Sequence, residues 1–175
     1  HALRFFTVWC FAGTTAYFAL SAVQTLRAKP LLAFQETWFF TVAPPSLLVD
    51  LVFWFAIFRS LPPYLQSHSF RFDEFSMHAL NVPMLLVDSL LLGSGARSAR
   101  QASLWLHPVA FTASYLPFHW MWLAAGGRPV YEFLRPSLPW AGAIHATLLA
   151  LVVGCFHVFR LFALAQRRCA AVQPV

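Results

Sequence analysis

The stretch that decides the fold runs from Trp140 to Ala165 and reads WAGAIHATLLALVVGCFHVFRLFALA. Arg160 is the single Lys, Arg, Asp or Glu residue in it. A helix of about 20 mostly apolar residues crosses the roughly 30 Å of hydrocarbon in a bilayer, and this run is long enough to do so. It therefore predicts a membrane-spanning helix.

Four earlier windows have the same apolar character, and loops containing Pro, Gly and charged residues separate them. None of these runs alternates as barrel strands do. The pattern predicts an all-α, polytopic transmembrane helix bundle that forms a single domain over residues 1–175. Because the chain starts at His1 and enters an apolar run almost at once, we expect a sixth helix before it in the full-length protein. The five predicted helices are about Arg4–Gln24, Thr37–Phe58, Phe75–Leu92, Ser103–Ala125 and Trp140–Ala165.

The composition excludes several other classes of protein. Of the 175 residues, 59% are hydrophobic and 10% are charged, and the mean hydropathy is +0.64. Soluble domains average about 45–50% apolar and 25% charged residues, so a soluble monomer and a disordered chain are both excluded. The net charge of +6 comes from basic residues scattered singly or in pairs between apolar runs. Because nucleic acid needs a contiguous basic surface, we expect the bilayer and no nucleic acid as a partner.

The distribution of Arg and Lys between the loops predicts the orientation. With five spans, one side of the membrane receives slightly more basic residues than the other, and the positive-inside rule assigns that side to the cytoplasm. The C-terminus is then cytoplasmic. The cytoplasmic set is Arg27, Lys29, Arg97, Arg100, Arg167 and Arg168, against Arg4, Arg59, Arg71, Arg128 and Arg135 on the other side.

Prolines lie inside three of the predicted spans. Pro44 and Pro45 are in the second, Pro83 is in the third, and Pro108 and Pro117 are in the fourth. Each proline removes a backbone donor, which lipid tolerates only where protein or a cavity satisfies the freed carbonyl. The prolines therefore indicate either kinks that shape packing or a cavity inside the bundle.

Ionisable residues within a span are costly and are functional candidates by default. Asp50, in the middle of the second helix, is expected to point inward. Asp88 is either a hydrogen-bond acceptor inside the bundle or a residue that reaches the cytoplasmic border. His119 is either a satisfied interior histidine or part of a site. The full set of candidates is Asp50, His78, Asp88, His107, His119, His145 and His157.

Thr7 and His78 share a predicted depth in the membrane. Each residue lies about one turn inside its predicted helix, and both helices enter the membrane from the same side. The predicted orientation makes this the non-cytoplasmic side. A hydroxyl beside an imidazole can act as a nucleophile activated by a general base. The spacing alone is weak evidence, because threonine in a membrane helix often bonds its own backbone.

Four stretches of the chain together resemble the androgen-induced multi-pass membrane protein family, from its second helix to its end. The resemblance implies threonine hydrolases that cleave fatty acid esters of hydroxy fatty acids, with Thr7 as nucleophile and His78 as essential histidine. Asp88 replaces a glutamate, and Leu123-Ala124 replaces a His-His pair of the family member compared. The stretches are Leu3–Thr7, Trp38–Trp54, Met77–Asp88 and Ser114–Leu134, the last with its exit Val130-Tyr131-Glu132-Phe133-Leu134.

The resemblance also implies a lipid substrate, an apolar cavity for its acyl chains, no metal or organic cofactor, and residence in the endoplasmic reticulum or plasma membrane. Asn81 or a backbone amide freed by a proline is the candidate oxyanion donor. Pro83 is expected to be a supporting or cavity-lining residue of the same site. Three alternatives stay open. They are a non-catalytic scaffold or regulator with the same fold, a haem-binding membrane protein, and a proton-coupled transporter that uses Asp50 and Asp88. The preferred ester and the oligomeric state do not follow from the sequence.

Overall fold

A computed structural model describes residues 5–26, 32–58, 76–129 and 131–172, and in these ranges the chain is helical without any strand. The predicted all-α bundle is confirmed, and five α-helices are present in the described part. Short turns of π and 3₁₀ helix extend or connect them. The helices are α1 Phe6–Thr25, α2 Leu32–Val52, α3 Asn81–Leu92, α4 Leu106–Ala124 and α5 Ala141–Val172. The π-helical turns are Phe53–Ile57 and Ser76–Leu80, and the 3₁₀ turns are Ser98–Arg100, Ala102–Trp105 and Glu132–Leu134.

Three of the described helices are long and apolar enough to cross a membrane, namely Phe6–Gln24, Ala33–Phe55 and Ala141–Cys169. The apolar helix at Met77–Leu91 is shorter. The chain therefore has the character of an integral membrane protein. That α3 and α4 also cross the membrane stays a prediction.

Two predicted boundaries differ from the structure. Helix α2 begins at Leu32 and not at Thr37, because the polar residues before Thr37 have partners inside the bundle. Gln35 donates to the Ser21 hydroxyl over 2.7 Å, and Glu36 accepts a hydrogen bond from Ser98. Helix α5 continues past Ala165 to Val172, and Arg167, Arg168 and Cys169 in this extension are exposed.

Helix α2 is the interior helix of the bundle and packs against the other four. Within its span 61% of residues are buried, against 22% for α1 and 28% for α5. Phe39 and Phe40 on α2 are fully buried and meet the rings of Phe159 and Phe156 on α5 at centroid distances of 5.8 and 5.4 Å. Aromatic contacts of this kind add to the area they bury. The core therefore lies along the α2–α5 contact.

A buried hydrogen bond joins α1 to α3. The Tyr17 hydroxyl donates to Asp88 over 2.6 Å, and both side chains are buried. Asp88 is therefore a hydrogen-bond acceptor inside the bundle. In lipid such a bond also avoids leaving a polar group without a partner.

Replacing Tyr17 by Phe is expected to destabilise the bundle by about 0.6–1.7 kcal/mol, the range measured for interhelical hydrogen bonds in a membrane protein. Reversible unfolding in mixed micelles with increasing sodium dodecyl sulfate would measure this. Thr15→Val is the control, because exposed Thr15 on the same helix bonds only the Phe11 carbonyl. Equal stability of the Tyr17→Phe variant and the parent would contradict the structural role of this bond.

Candidate functional site

A cavity of about 470 Å³ lies between α1, α2, α4 and α5. This is a size common for small-molecule sites, which are mostly apolar with a few polar groups. The cavity that the prolines indicated is present, but they do not line it. Pro44, Pro45 and Pro108 are fully buried in the helix packing. The polar residues of the lining are Thr7, His78, Thr112, Tyr115, Tyr131 and His145, and the rest are apolar.

Thr7 is the second residue of α1 and is 6% exposed. Its Oγ1 atom lies 3.4 Å from the hydroxyl of Tyr131, in the connection between α4 and α5. Other threonines of the chain, such as Thr15 and Thr147, bond the carbonyl one turn earlier in their own helix. Thr7 thus departs from the usual behaviour of a membrane-helix threonine, because its hydroxyl faces another side chain in the cavity.

The first turn of α1 adds backbone donors at the same place. The amides of Phe6 and Thr7 are the first two of the helix and have no carbonyl within it to bond. Both amides lie near the Tyr131 hydroxyl. Burial raises the pKa of Tyr131, so the phenol stays protonated at neutral pH and keeps its donor. The start of α1 therefore concentrates hydrogen-bond donors around the Thr7 hydroxyl.

His78 lies in the π-helical turn before α3 and is 7% exposed. Its ring stacks on Phe53 with a centroid distance of 3.7 Å and an interplanar angle of 6°. The indole of Trp54 donates to the His78 backbone carbonyl. Phe53 and Trp54 belong to the other π-helical turn, so two π turns hold the imidazole against the cavity. Such turns occur frequently at functional sites.

The predicted pair thus shares one cavity. The π turn that carries His78 contacts α1, and both Thr7 and His78 line the same space. The hydrogen bond from Thr7 runs to Tyr131 in this structure. The roles of nucleophile and base remain predictions.

The structure does not bring Asn81, Pro83 and Asp88 to this cavity. The Asn81 side-chain amide donates one hydrogen bond, to the Met77 carbonyl over 3.2 Å. Pro83 and Asp88 border a second, apolar groove together with Phe18 of α1. Of these residues, Asp88 joins α3 to α1 through its hydrogen bond with Tyr17.

Asp50 and His119 lie near the cavity without lining it. Asp50 is half-buried on α2. His119 is 1% exposed and stacks on Tyr115 at a ring-centroid distance of 5.8 Å.

Sequence reasoning assigned no role to Tyr131, Thr112 or His145. Tyr131 falls in a loop, where counting depth along helices gives no information, although it belongs to the exit stretch that carries the resemblance. His145 was one of the ionisable candidates within spans. Within the described ranges, no three His, Cys, Asp or Glu side chains converge as a metal site would require.

Comparison with protein-family models, with curated proteins and with solved structures finds no match to this chain. The geometry of the site therefore carries the functional argument.

Filling the cavity should prevent an apolar ligand from binding. Val49 lines it from α2, so Val49→Trp is expected to weaken binding of a fluorescent long-chain fatty acid at least about tenfold through lost volume. Leu51→Trp is the control, because Leu51 is exposed on the same helix. Equal affinity of the two variants in a fluorescence titration would show that the ligand binds elsewhere.

Proposed function

We propose that the protein is an intramembrane hydrolase of lipid carboxylic esters, with Thr7 as the nucleophile and His78 as the general base. One observation carries this proposal. Two buried side chains of the right chemistry, far apart in sequence, line one mainly apolar cavity of about 470 Å³. The resemblance of the sequence to the androgen-induced family supports the same pair of residues and favours fatty acid esters of hydroxy fatty acids as substrates.

The reaction proceeds in two halves. The acyl chain occupies the apolar part of the cavity and the ester carbonyl lies beside Thr7. His78 takes the proton of the Thr7 hydroxyl as its oxygen attacks the carbonyl carbon. The ester C–O bond then breaks, the hydroxy acid leaves with the proton from His78, and an acyl-threonine remains.

Water completes the cycle. His78 deprotonates a water molecule that attacks the acyl-threonine, and the fatty acid departs as the proton returns to the Thr7 oxygen. No cofactor is needed for either half. The mechanism requires the His78 ring, which lines the same cavity, to come within hydrogen-bond distance of the Thr7 hydroxyl.

The start of α1 and Tyr131 supply the oxyanion donors in this proposal. A negative oxygen formed on the carbon bonded to Thr7 lies near the Phe6 and Thr7 amides and the Tyr131 phenol. The first amides of a helix, which have no carbonyl within the helix to bond, and the dipole at its N-terminus favour negative charge. This assignment takes the place of Asn81, which does not line the cavity.

We further propose that the site opens toward the non-cytoplasmic side, with the C-terminus in the cytoplasm, in the endoplasmic reticulum or plasma membrane. The distribution of Arg and Lys between the loops supports this orientation. The resemblance of the sequence to the androgen-induced family supports the endoplasmic reticulum or plasma membrane as the compartment.

Thr7→Ala and His78→Ala are each expected to lower ester hydrolysis at least about 100-fold and to abolish labelling by a fluorophosphonate probe. Thr7→Ser, which keeps a hydroxyl, should retain part of the ester hydrolysis and part of the fluorophosphonate labelling. Thr15→Ala and His107→Ala, at exposed positions of α1 and α4, are the matched controls. Normal hydrolysis by either of the first two variants would contradict the proposed dyad.

Tyr131→Phe is expected to lower kcat by about 100-fold with little change in KM, as when one oxyanion donor is removed. The steady-state kinetics of the purified variant measure this directly. Glu132→Gln, at an exposed position of the same connection that does not line the cavity, serves as the control. A kcat equal to that of the parent would exclude Tyr131 from the reaction.

A further inference from the structure

The wall of the cavity formed by α4 and α5 carries a pair of imidazoles that the proposed chemistry does not use. His119 on α4 is 1% exposed, and neither of its ring nitrogens has a hydrogen-bond partner among the described residues. The Nε2 atom of His145 on α5 is buried and also without a partner within the described ranges. Trp120, which follows His119 on α4, meets the His145 ring at a centroid distance of 5.6 Å, so His119 and His145 lie where the same parts of α4 and α5 pack together.

His145 connects this pair to the ligand space. His145 lines the same cavity as Thr7 and His78. His119 does not line the cavity and stacks on Tyr115, which does. Buried polar atoms in proteins nearly always have partners, so a cluster of three unpartnered nitrogens beside a cavity indicates a bound polar group. The neighbouring lining residues Leu116, Leu148 and Leu149 are apolar and suit a hydrocarbon chain attached to that group.

The geometry points to a carboxyl-binding subsite. We propose that His119 and His145 bind the free carboxyl group of a long-chain ligand whose hydrocarbon occupies the cavity. A neutral imidazole has one N–H donor and one acceptor nitrogen. A carboxylic acid matches both, since its O–H donates to one ring nitrogen and its carbonyl accepts from another N–H. A carboxylate matches the same pair once one ring carries the proton.

Other ligands match this pair less well. An ester carbonyl only accepts, so it leaves the acceptor nitrogen of the pair without a donor. A metal ion would require further ligands, and among the described residues no third His, Cys, Asp or Glu joins these two. The chemistry of the subsite therefore selects an acid over its ester.

This inference deepens the proposed function and rests on it for the identity of the substrate. An ester whose one portion ends in a free carboxyl would be anchored at His119 and His145 while its ester bond lies beside Thr7. Binding of the acid itself does not require hydrolysis. The two proposals can therefore fail independently.

Binding is tested with the Thr7→Ala variant in phosphatidylcholine nanodiscs, titrated with cis-9-octadecenoic acid, its methyl ester and the corresponding alcohol. The acid is expected to bind about tenfold more tightly than the methyl ester, as for a hydrogen-bonded charged group. His119→Phe and His145→Phe fill the same volume and should abolish this preference. His157→Phe, at an exposed position of α5, should preserve it.

Equal affinities for acid and methyl ester in the Thr7→Ala protein would overturn the subsite, as would an acid preference that survives both histidine substitutions. Equal binding of the alcohol and the acid would also overturn the assignment to a carboxyl group. His145→Gln retains a donor and should keep part of the preference, which separates lost binding from misfolding. If Thr7→Ala keeps full esterase activity while the acid preference holds, the dyad fails and the subsite stands.

Discussion

Lipid offers no water to a polar group, so helix α2, enclosed by the other four helices, must find every partner within the bundle. Its aromatic residues Phe39 and Phe40 fill the centre, and Glu36, one of its two acidic residues, accepts a hydrogen bond from Ser98. The Tyr17–Asp88 hydrogen bond then fixes α1 against α3 on one side of α2. The positions of the remaining helices follow from this enclosure.

The same helix determines where the cavity forms. Beyond Val52 it continues as a π-helical turn, which changes the direction of the side chains relative to a regular α-helix. Phe53 in that turn stacks on His78, whose own turn is also π-helical. The backbone is therefore a regular α-helix up to Val52 and a π-helical turn beyond it. Residues of this turn line the cavity together with Thr7, His78 and Tyr131.

Sequence patterns predicted the parts of this structure that depend on one helix at a time. Apolar length located five helices, and counting turns from the charged ends placed Thr7 and His78 at one depth. The start of α2 was missed because Gln35 and Glu36 look like loop residues until their partners Ser21 and Ser98 are known. Contacts between distant segments could not be predicted from the sequence either, since the hydrogen bond between Thr7 and Tyr131 connects residues 124 positions apart. The same holds for His145, whose position beside His119 depends on how α4 and α5 pack.

The central claim is that the Thr7 hydroxyl is the nucleophile of a lipid hydrolase. The most direct measurement is tandem mass spectrometry of peptides from the protein after reaction with a fluorophosphonate, which reports the residue that carries the phosphonyl group. If Thr7 is the nucleophile, a single adduct is expected on Thr7, formed in the parent protein and competed by a long-chain ester substrate. An adduct on another residue, or none in protein that hydrolyses the ester, would contradict it.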